Sequence, residues 1–310
     1  MRQTQGWGVL AIVFAAVVWG TTGTAATFAP GVSAAAIGAA AMGVGGILQA
    51  LMAGGGIIRA RAALWEQRGL LVIGALAVAI YPLAFYGSMR LAGVTIGTVI
   101  TIGSAPLLSV VIEYVMDGAR LTLRWSAGAL VGLIGMGLIC VAETASHGGV
   151  IGGEQVPLGV ALGLLGGFTY ALYSWSARRM MLAGTRPTVA MGATFGLGGM
   201  LLMPVLFVTG GPFLASWENA AVGLYMALVP MFLGYIAFGY GLARVQASMA
   251  TVITLLEPVV AAVLAVLIVG ERLPPLGWIG VALVVGCLVI ITAPGSLRGW
   301  FRLRAGRGLT

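Results

Sequence analysis

Residues Gln246 to Leu273 read QASMATVITLLEPVVAAVLAVLIVGERL. This run is apolar and is longer than the roughly 20 residues that a helix needs to cross a bilayer. Near its middle, a carboxylate precedes a helix-breaking residue in Glu257-Pro258. A charged side chain at the bilayer centre costs about 2.5–3.5 kcal/mol to insert, so such residues commonly bind substrate, carry protons or form pairs. The run therefore predicts a membrane helix with an interruption at a candidate functional position.

The same run occurs earlier in the chain in an altered form. The matches are Thr98-Val99-Ile100-Thr101 with Thr251-Val252-Ile253-Thr254, Pro106 with Pro258, and Gly118-Ala119-Arg120-Leu121 with Gly270-Glu271-Arg272-Leu273. A repeat that spans a large part of the chain indicates an internal duplication. The sequence therefore predicts two related halves, residues 1–147 and 148–297, that form one fold and are followed by a basic tail over residues 298–310.

The composition belongs to a protein that crosses the membrane many times. Of 310 residues, 60% are hydrophobic and 8% are charged, and the mean hydropathy is +1.07. Soluble domains carry about 25% charged residues. Apolar runs of about 20 residues indicate helices, because the strands of a membrane barrel have about 10 residues and alternate in polarity. We therefore expect an all-α integral membrane protein.

The polar residues that are missing exclude several chemistries. The chain has no lysine, which excludes a lysine phosphate loop and a Schiff base. A single aspartate, Asp117, and a single histidine, His147, argue against a metal cluster. Cys140 and Cys287 lie inside apolar runs and are expected to be buried small residues. The sequence predicts no catalytic residues, no metal and no cofactor, and its basic charge is better explained by arginine-rich loops than by nucleic acid.

Ten membrane helices are predicted. They span 7–28, 33–57, 69–89, 92–115, 126–145, 157–177, 187–209, 220–241, 246–269 and 276–293. The first run continues past the 7–15 residues of a signal-peptide core, so we interpret it as a helix. Each half holds five helices, an odd number, so the second half must cross the membrane in the inverted direction. Inverted repeats are typical of alternating-access transporters, whose substrate site lies near the membrane midplane between the halves.

The arginines predict the orientation of the chain. With the N-terminus inside, all arginines except Arg90 and Arg272 fall in cytoplasmic segments, as the positive-inside rule requires. We therefore expect both termini on the cytoplasmic side of the bacterial inner membrane. Glu113 and Asp117 precede Arg120 and Arg124 at the cytoplasmic end of the fourth helix, where surface pairing is expected.

Polar residues line up on the fourth and ninth helices. Thr95, Thr98, Thr101 and Ser104 correspond to Ser248, Thr251, Thr254 and Glu257. Some of these side chains are expected to line a cavity; the alternative is that the hydroxyls bond their own helix backbone. For Glu257, a proton-loading role or a bond to a substrate ammonium stands beside a structural role, in which it bonds backbone groups freed by Pro258.

Aromatic residues concentrate on four helices. Trp19 lies in the middle of the first helix, away from the interfaces that tryptophan prefers. The sixth helix carries Phe168, Tyr170, Tyr173 and Trp175, and the third helix matches the eighth through Tyr81, Phe85 and Tyr86 with Tyr235, Phe238 and Tyr240. These rings either pack in the core or form the apolar wall of a binding pocket.

The chain resembles the EamA family of the drug/metabolite transporter superfamily. The resemblance rests on the two five-helix halves, on Trp19-Gly20 in the first helix, and on Glu257-Pro258 followed by Gly270-Glu271-Arg272-Leu273. The first half departs from the family pattern, because Ala119 stands where the family usually has a glutamate and no acid precedes Pro106. The resemblance implies an inner-membrane carrier of small metabolites, often an exporter, and it is greatest to the amino-acid exporters of the family.

The sequence thus predicts a secondary transporter that exports amino acids or similar small amphipathic metabolites, either coupled to protons or as a facilitator. The expected lining residues are Trp19, Tyr81, Thr98, Thr101, Tyr173, Trp175, Thr251, Thr254 and Glu257, with Glu257 as the candidate coupling group and Pro106 and Pro258 as helix-breaking residues. Export of a sugar, an amine, a purine or a drug is the alternative. A permease subunit and an intramembrane enzyme are less favoured. The expected partners are a small-molecule substrate and the lipid bilayer, with no nucleic acid; a homodimer stays open.

Overall fold

The computed structural model describes residues 2–92, 94–119, 122–146, 155–270 and 273–292. Over these ranges the chain is helical without strands, and ten helices are long and apolar enough to span a membrane. They are α1 Gln5–Thr27, α2 Ala34–Arg59, α3 Arg68–Ala92, α4 Gly97–Asp117, α5 Leu123–Ala142, α6 Val156–Leu182, α7 Pro187–Thr209, α8 Trp217–Leu242, α9 Ala247–Ile268 and α10 Pro275–Thr292. The prediction of an all-α, ten-helix membrane protein is confirmed. The basic tail 298–310 and His147 lie outside the described residues.

The helices pack as a pair of related five-helix units. The main contacts are α3 with α6, α1 with α8, α4 with α6, α1 with α9, α2 with α7, and α5 with α10. In an exchange of the halves, each helix of the first half takes the place of the helix five positions later, and the reverse. The contact of α3 with α6 then becomes that of α8 with α1. The contact of α4 with α6 becomes that of α9 with α1. The contacts of α2 with α7 and α5 with α10 are unchanged by the exchange. The packing therefore follows the predicted internal duplication.

Several of the membrane helices are interrupted. The α1 span divides into Arg2–Gly20 and Thr22–Thr27, and the α9 span divides at Thr254-Leu255 into Ala247–Ile253 and Leu256–Leu264. Wider π-type turns occur at Ala39–Val44 in α2, Ala227–Leu233 in α8 and Ala265–Val269 in α9. Such turns leave backbone groups without their usual helical partners and often occur at functional sites.

The two matching prolines have different effects on their helices. Pro258 follows the break in α9 directly, whereas Pro106 lies inside the continuous helix Val94–Asp117. The prediction that Pro106 breaks its helix is therefore wrong. A proline removes one backbone donor, and packing against neighbouring membrane helices can hold the remaining helix together.

The N face is the membrane face from which α1 starts, and the opposite face is the one at which α1 ends. Because the helices alternate in direction, the links between α2 and α3, α4 and α5, α6 and α7, and α8 and α9 lie at the N face. The buried core near the N face contains Ile12, Phe195, Phe238 and Leu242, each with 0% exposure. Together these side chains fill the centre of the bundle on that side.

Candidate functional site

A cleft lies between α1, α2, α3, α6, α8 and α9. It has a volume of about 500 Å³ including its open mouth. Its lining is mostly aromatic, with one carboxyl group: Trp19, Thr22, Gly38, Ala41, Met42, Tyr81, Pro82, Phe85, Tyr86, Tyr170, Met231, Tyr235 and Glu257. Both halves of the chain contribute to this lining.

The cleft reaches from the middle of the bundle toward the opposite face. Tyr170 and Glu257 come from near the middle of their helices, whereas Thr22 and Gly38 come from the ends of α1 and α2 at the opposite face. On the other side, the buried core near the N face fills the space below the cleft. The cleft is therefore closed toward the N face.

Trp19 is held in place by a carbonyl that a proline-containing turn leaves available. Its indole nitrogen Nε1 donates a hydrogen bond to the carbonyl oxygen of Pro230 at 2.8 Å. Pro230 lies in the π-type turn of α8, where the regular helical hydrogen bonds are interrupted. The Trp19 ring also packs against Tyr235, with 4.6 Å between ring centroids, and against Phe238 at 5.3 Å. These contacts fix the indole as a rigid wall of the cleft.

Glu257 projects from the break in α9. Around the break, the Leu255 amide donates to the Val252 carbonyl at 3.1 Å, and the Glu257 amide donates to the Thr254 carbonyl at 3.0 Å, which makes a tight turn. Gly20 of α1 lies against this turn: a Cβ at position 20 would be 2.8 Å from the Glu257 carbonyl oxygen. The absence of a side chain at Gly20 therefore lets α1 contact the backbone of α9 where the carboxyl group enters the cleft.

The Glu257 carboxyl group has no protein partner in the described ranges. No hydrogen bond to it and no ion pair with it is found among those residues, and the side chain is partly exposed in the cleft. The sequence allowed a structural role in which this carboxyl group bonds backbone freed by Pro258, and no such bond occurs there. The geometry leaves the carboxyl group available to a molecule in the cleft.

Tyrosines surround the carboxyl group in a connected aromatic cluster. The Tyr173 and Tyr235 hydroxyls hydrogen bond at 2.8 Å, and the Tyr170 hydroxyl bonds Thr254 Oγ1 at 2.8 Å. Tyr81 contacts Tyr170 and Tyr173 with ring centroids 5.7 and 5.9 Å apart. Residues of the described part of the chain make no hydrogen bond to the hydroxyl of Tyr81, which is therefore free for a ligand.

Three of the nine residues expected from the sequence line the cleft, namely Trp19, Tyr81 and Glu257. Tyr173 and Thr254 stand behind the lining, since their side chains bond Tyr235 and Tyr170. Tyr170, Tyr235, Phe85 and Tyr86 line the cleft without having been among the nine. The match of the third helix with the eighth, and the aromatic crowding on the sixth, were the signals that could have identified them.

The remaining four expected residues lie elsewhere. Thr251 Oγ1 donates to Ser109 Oγ at 3.3 Å and to the Ala247 carbonyl at 3.1 Å, so it joins α9 to α4. Thr101 is fully buried where α4 meets α6, and its hydroxyl has no partner in the described residues. Thr98 is partly buried on α4 outside the lining, and Trp175 belongs to a polar cluster at the N face.

This N-face cluster consists of Glu113, Asp117, Trp175, Arg178 and Arg179. Asp117 accepts a hydrogen bond from Trp175 Nε1 at 2.9 Å and pairs with Arg179 at 3.3 Å. Glu113 Oε1 accepts from the Ala247 amide at 2.8 Å, at the start of α9. The cluster therefore ties the end of α4, in the first half, to α6 and α9 of the second half.

Surface pairing, the interpretation made for Glu113 from the sequence, is wrong. Glu113 is only 5% exposed. Its buried carboxylate accepts a hydrogen bond from an amide at the first turn of α9 that would otherwise lack a partner. Arg124 donates to the carbonyl oxygens of Ile290 and Ile291 at the end of α10. Arg120 lies outside the described residues. No group of three acid, histidine or cysteine side chains that could hold a metal is found in the part of the chain that the structure describes.

Comparison with known proteins identifies related sequences over nearly the whole chain. The sequence model of the EamA-like transporter family matches residues 6–141 and 157–293, one copy for each half. A Bacillus subtilis protein named uncharacterized transporter YwfM is 31% identical over 297 residues, which cover 92% of this chain and 94% of that protein. The family model extends across all the helices that line the cleft.

One further relative and one solved structure are similar to this chain. A protein of Streptantibioticus cattleyicolor named a probable terminal-alkyne amino-acid exporter is 29% identical over 191 residues, or 61% of each chain. A solved crystal structure superposes with a TM-score of 0.74 at 20% identity, covering 91% of this chain and 95% of that chain. At that identity the structural likeness supports the fold alone.

Proposed function

Since the chain belongs to the EamA-like transporter family, we propose that it exports amino acids or similar small amphipathic metabolites across the bacterial inner membrane by alternating access. The observation that carries this proposal is the cleft, which lies at the interface of the two halves and is closed toward one face only. A site near the midplane between inverted halves is the arrangement that alternating access requires. The name of the Streptantibioticus cattleyicolor relative supports amino acids as the first class to test.

The arginines favour one orientation of the cleft in the membrane. With the N face in the cytoplasm, Arg59, Arg61 and Arg68 lie at cytoplasmic loops, as the positive-inside rule requires. The cleft then faces outward, and both termini are cytoplasmic. This outward-facing arrangement is the state in which an exporter releases its substrate.

Return to the inward-facing state requires the N face to open. In our proposal, the N-face cluster separates there while the opposite face closes over the cleft. The break in α9 and the π-type turns in α2 and α8 lie beside the cleft, where interrupted backbone hydrogen bonds permit bending. Both halves of one chain contribute to the described lining of the cleft.

Efflux from proteoliposomes tests the proposal. The protein is reconstituted with a panel of labelled amino acids inside, and efflux is measured with and without a proton gradient for the native chain and for Glu257→Gln. We expect efflux of at least one amino acid above that of empty liposomes. Gradient-dependent efflux that is lost in Glu257→Gln identifies Glu257 as the coupling group, whereas gradient-independent efflux in both proteins identifies a facilitator. If no amino acid moves, the amino-acid assignment is refuted.

A further inference from the structure

The charge of the cleft is one-sided. Among the described residues that line it, Glu257 is the one acidic side chain, and none is basic. A carboxylate that lies away from bulk water and has no ion-pair partner loses hydration without compensation. An occupant with a positive charge restores that compensation, whereas an occupant with a negative charge adds repulsion that a low-dielectric surrounding makes stronger.

The rest of the lining also favours a cation. Trp19, Tyr81, Phe85, Tyr170 and Tyr235 present aromatic rings to the cleft. The faces of such rings attract ammonium groups within about 6 Å, most strongly where water is excluded. The Tyr81 hydroxyl, which has no bond in the described part of the chain, can accept a hydrogen bond from an ammonium group.

A free carboxylate on the substrate has no basic side chain to pair with among the described residues that line the cleft. Tyrosine hydroxyls are the candidate donors in the lining. Those of Tyr170 and Tyr235 already bond Thr254 and Tyr173, whereas those of Tyr81 and Tyr86 make no bond among the described residues. A tyrosine hydroxyl offers a carboxylate one donor and no positive charge, whereas an arginine offers several donors and a compensating charge. Binding of a zwitterionic amino acid is therefore favoured at its ammonium group and disfavoured at its carboxylate group.

We infer that the cleft selects amphipathic amines, molecules with an apolar body and one ammonium group but without a free carboxylate. The ammonium group pairs with Glu257, and the apolar body packs against the aromatic rings. This inference rests on the proposed transport function and narrows its substrate class. It places simple amines, and amino acids whose carboxylate is masked as an amide or ester, ahead of the free amino acids.

Four ligands that share a phenyl ring test the inference on the purified full chain. Phenylethylamine carries an ammonium group only, phenylalanine carries an ammonium group and a carboxylate, phenylpropionate carries a carboxylate only, and phenylethanol is neutral. Calorimetry at neutral pH should give the tightest binding for the amine, by about tenfold or more over phenylalanine, and the weakest for phenylpropionate. Binding of phenylalanine as tight as that of the amine would overturn the inference, and so would equal binding of the amine and the alcohol.

The variant Glu257→Gln tests the residue. It keeps the shape of the side chain and removes its charge, so binding of phenylethylamine should weaken by about 30-fold or more, as expected for the loss of one partner of a desolvated charge pair. Binding of phenylethanol should stay the same, which also shows that the variant is folded. Glu218→Gln is the matched control, because Glu218 is an exposed acid outside the cleft. Unchanged amine binding in Glu257→Gln would contradict the assignment of the ammonium site.

Counterflow separates this inference from the transport function. Liposomes loaded with unlabelled ligand take up labelled phenyltrimethylammonium, a permanent cation that cannot cross the bilayer as a neutral molecule. Uptake of the cation above that of phenylalanine supports both conclusions. Uptake of phenylalanine alone refutes the selection of amines but supports the transport function. Amine binding without uptake of any ligand supports the ammonium site but refutes the transport function.

Discussion

At the scale of single residues, Gly20 explains why two parts of the family signature occur together. Trp19-Gly20 and Glu257-Pro258 are far apart in the chain, but a Cβ at Gly20 would lie 2.6 Å from Val260 Cβ and 2.8 Å from the Glu257 carbonyl oxygen. Such distances are too short for a side chain. The two sequence motifs are therefore the two sides of one helix–helix contact, which positions both Trp19 and Glu257 at the cleft.

We expect Gly20→Ala to separate α1 from α9 and to weaken the protein. The added methyl group has to displace backbone at Glu257, and overpacking of this kind costs about 1–3 kcal/mol. The midpoint of thermal unfolding in detergent should fall, and phenylethylamine binding should weaken with it. Gly23→Ala is the matched control, because the nearest space around Gly23 on the same helix is open. Equal midpoints for the two variants would contradict the contact.

The sequence predicted the cleft residues in part. Trp19 and Glu257 stood out because an indole and a carboxyl group are unusual at mid-membrane depth. Thr251 and Thr101 were expected to line the cleft because of their matched positions, but periodicity alone does not fix how a helix is rotated about its axis. In the structure Thr251 bonds its own helix and Ser109, which is the back-bonding that competes with any cavity role. Tyr170 and Tyr235 reach the cleft because of the way α6 and α8 pack, which no local pattern encodes.

At the scale of helices, the N-face cluster is the most specific connection between the halves. Asp117 at the end of α4 holds Trp175 and Arg179 of α6, and Glu113 holds the first turn of α9. Charge-assisted hydrogen bonds of this kind are stronger than neutral ones. Closure of the N face is therefore stabilised by specific polar bonds in addition to apolar packing.

The variant Asp117→Asn should shift the protein toward an open N face. An asparagine oxygen can still accept the Trp175 hydrogen bond, but the ion pair with Arg179 is lost, which should raise the population of the open state. Amide hydrogen exchange should become faster in the last turns of α6 and the first turn of α9. Glu66→Gln, which changes an exposed acid at the same face, is the control and should leave exchange there unchanged. Slower or identical exchange in Asp117→Asn would refute a role of the cluster in closure.

The helix spans were predictable because length and apolarity determine them, but the helix breaks were not. Pro106 and Pro258 occupy matching positions, and only the helix with Pro258 is interrupted. A glycine admits close backbone contact beside each proline: Gly20 against Glu257, and Gly167 against Thr101 and Ala105. A proline thus indicates where a helix can yield, but neither the proline nor this contact determines that it does.

At the scale of the whole molecule, the exchange of halves preserves the helix contacts. The family model matches each half separately, and five helices in each half require opposite orientations in the membrane. The sequence predicted this architecture from the repeat and the helix count. Which face lies in the cytoplasm is a separate question, for which the arginine distribution supplies the expectation.

Both termini should be accessible from the cytoplasm. A fluorescent protein fused after Thr310 should be fluorescent in intact cells, and alkaline phosphatase fused at the same place should be inactive, because its folding requires the periplasm. A fusion of each reporter in the segment between α5 and α6 should give the reverse pattern. Phosphatase activity at the C-terminus would invert the orientation and turn the open cleft toward the cytoplasm.

The N-face cluster also breaks the equivalence of the two halves. In the internal alignment, Glu113 and Asp117 correspond to Ala265 and Val269, which cannot form such bonds at the opposite face. Two identical inverted halves would make the two end states of the transport cycle equal in energy. Among the residues that the structure describes, the ionic ties occur at the N face, so we expect the two end states to differ in energy and an unoccupied protein to rest with its cleft open to the opposite face. The side toward which the cleft opens is then a property of the unoccupied protein, present before any substrate or gradient acts on it.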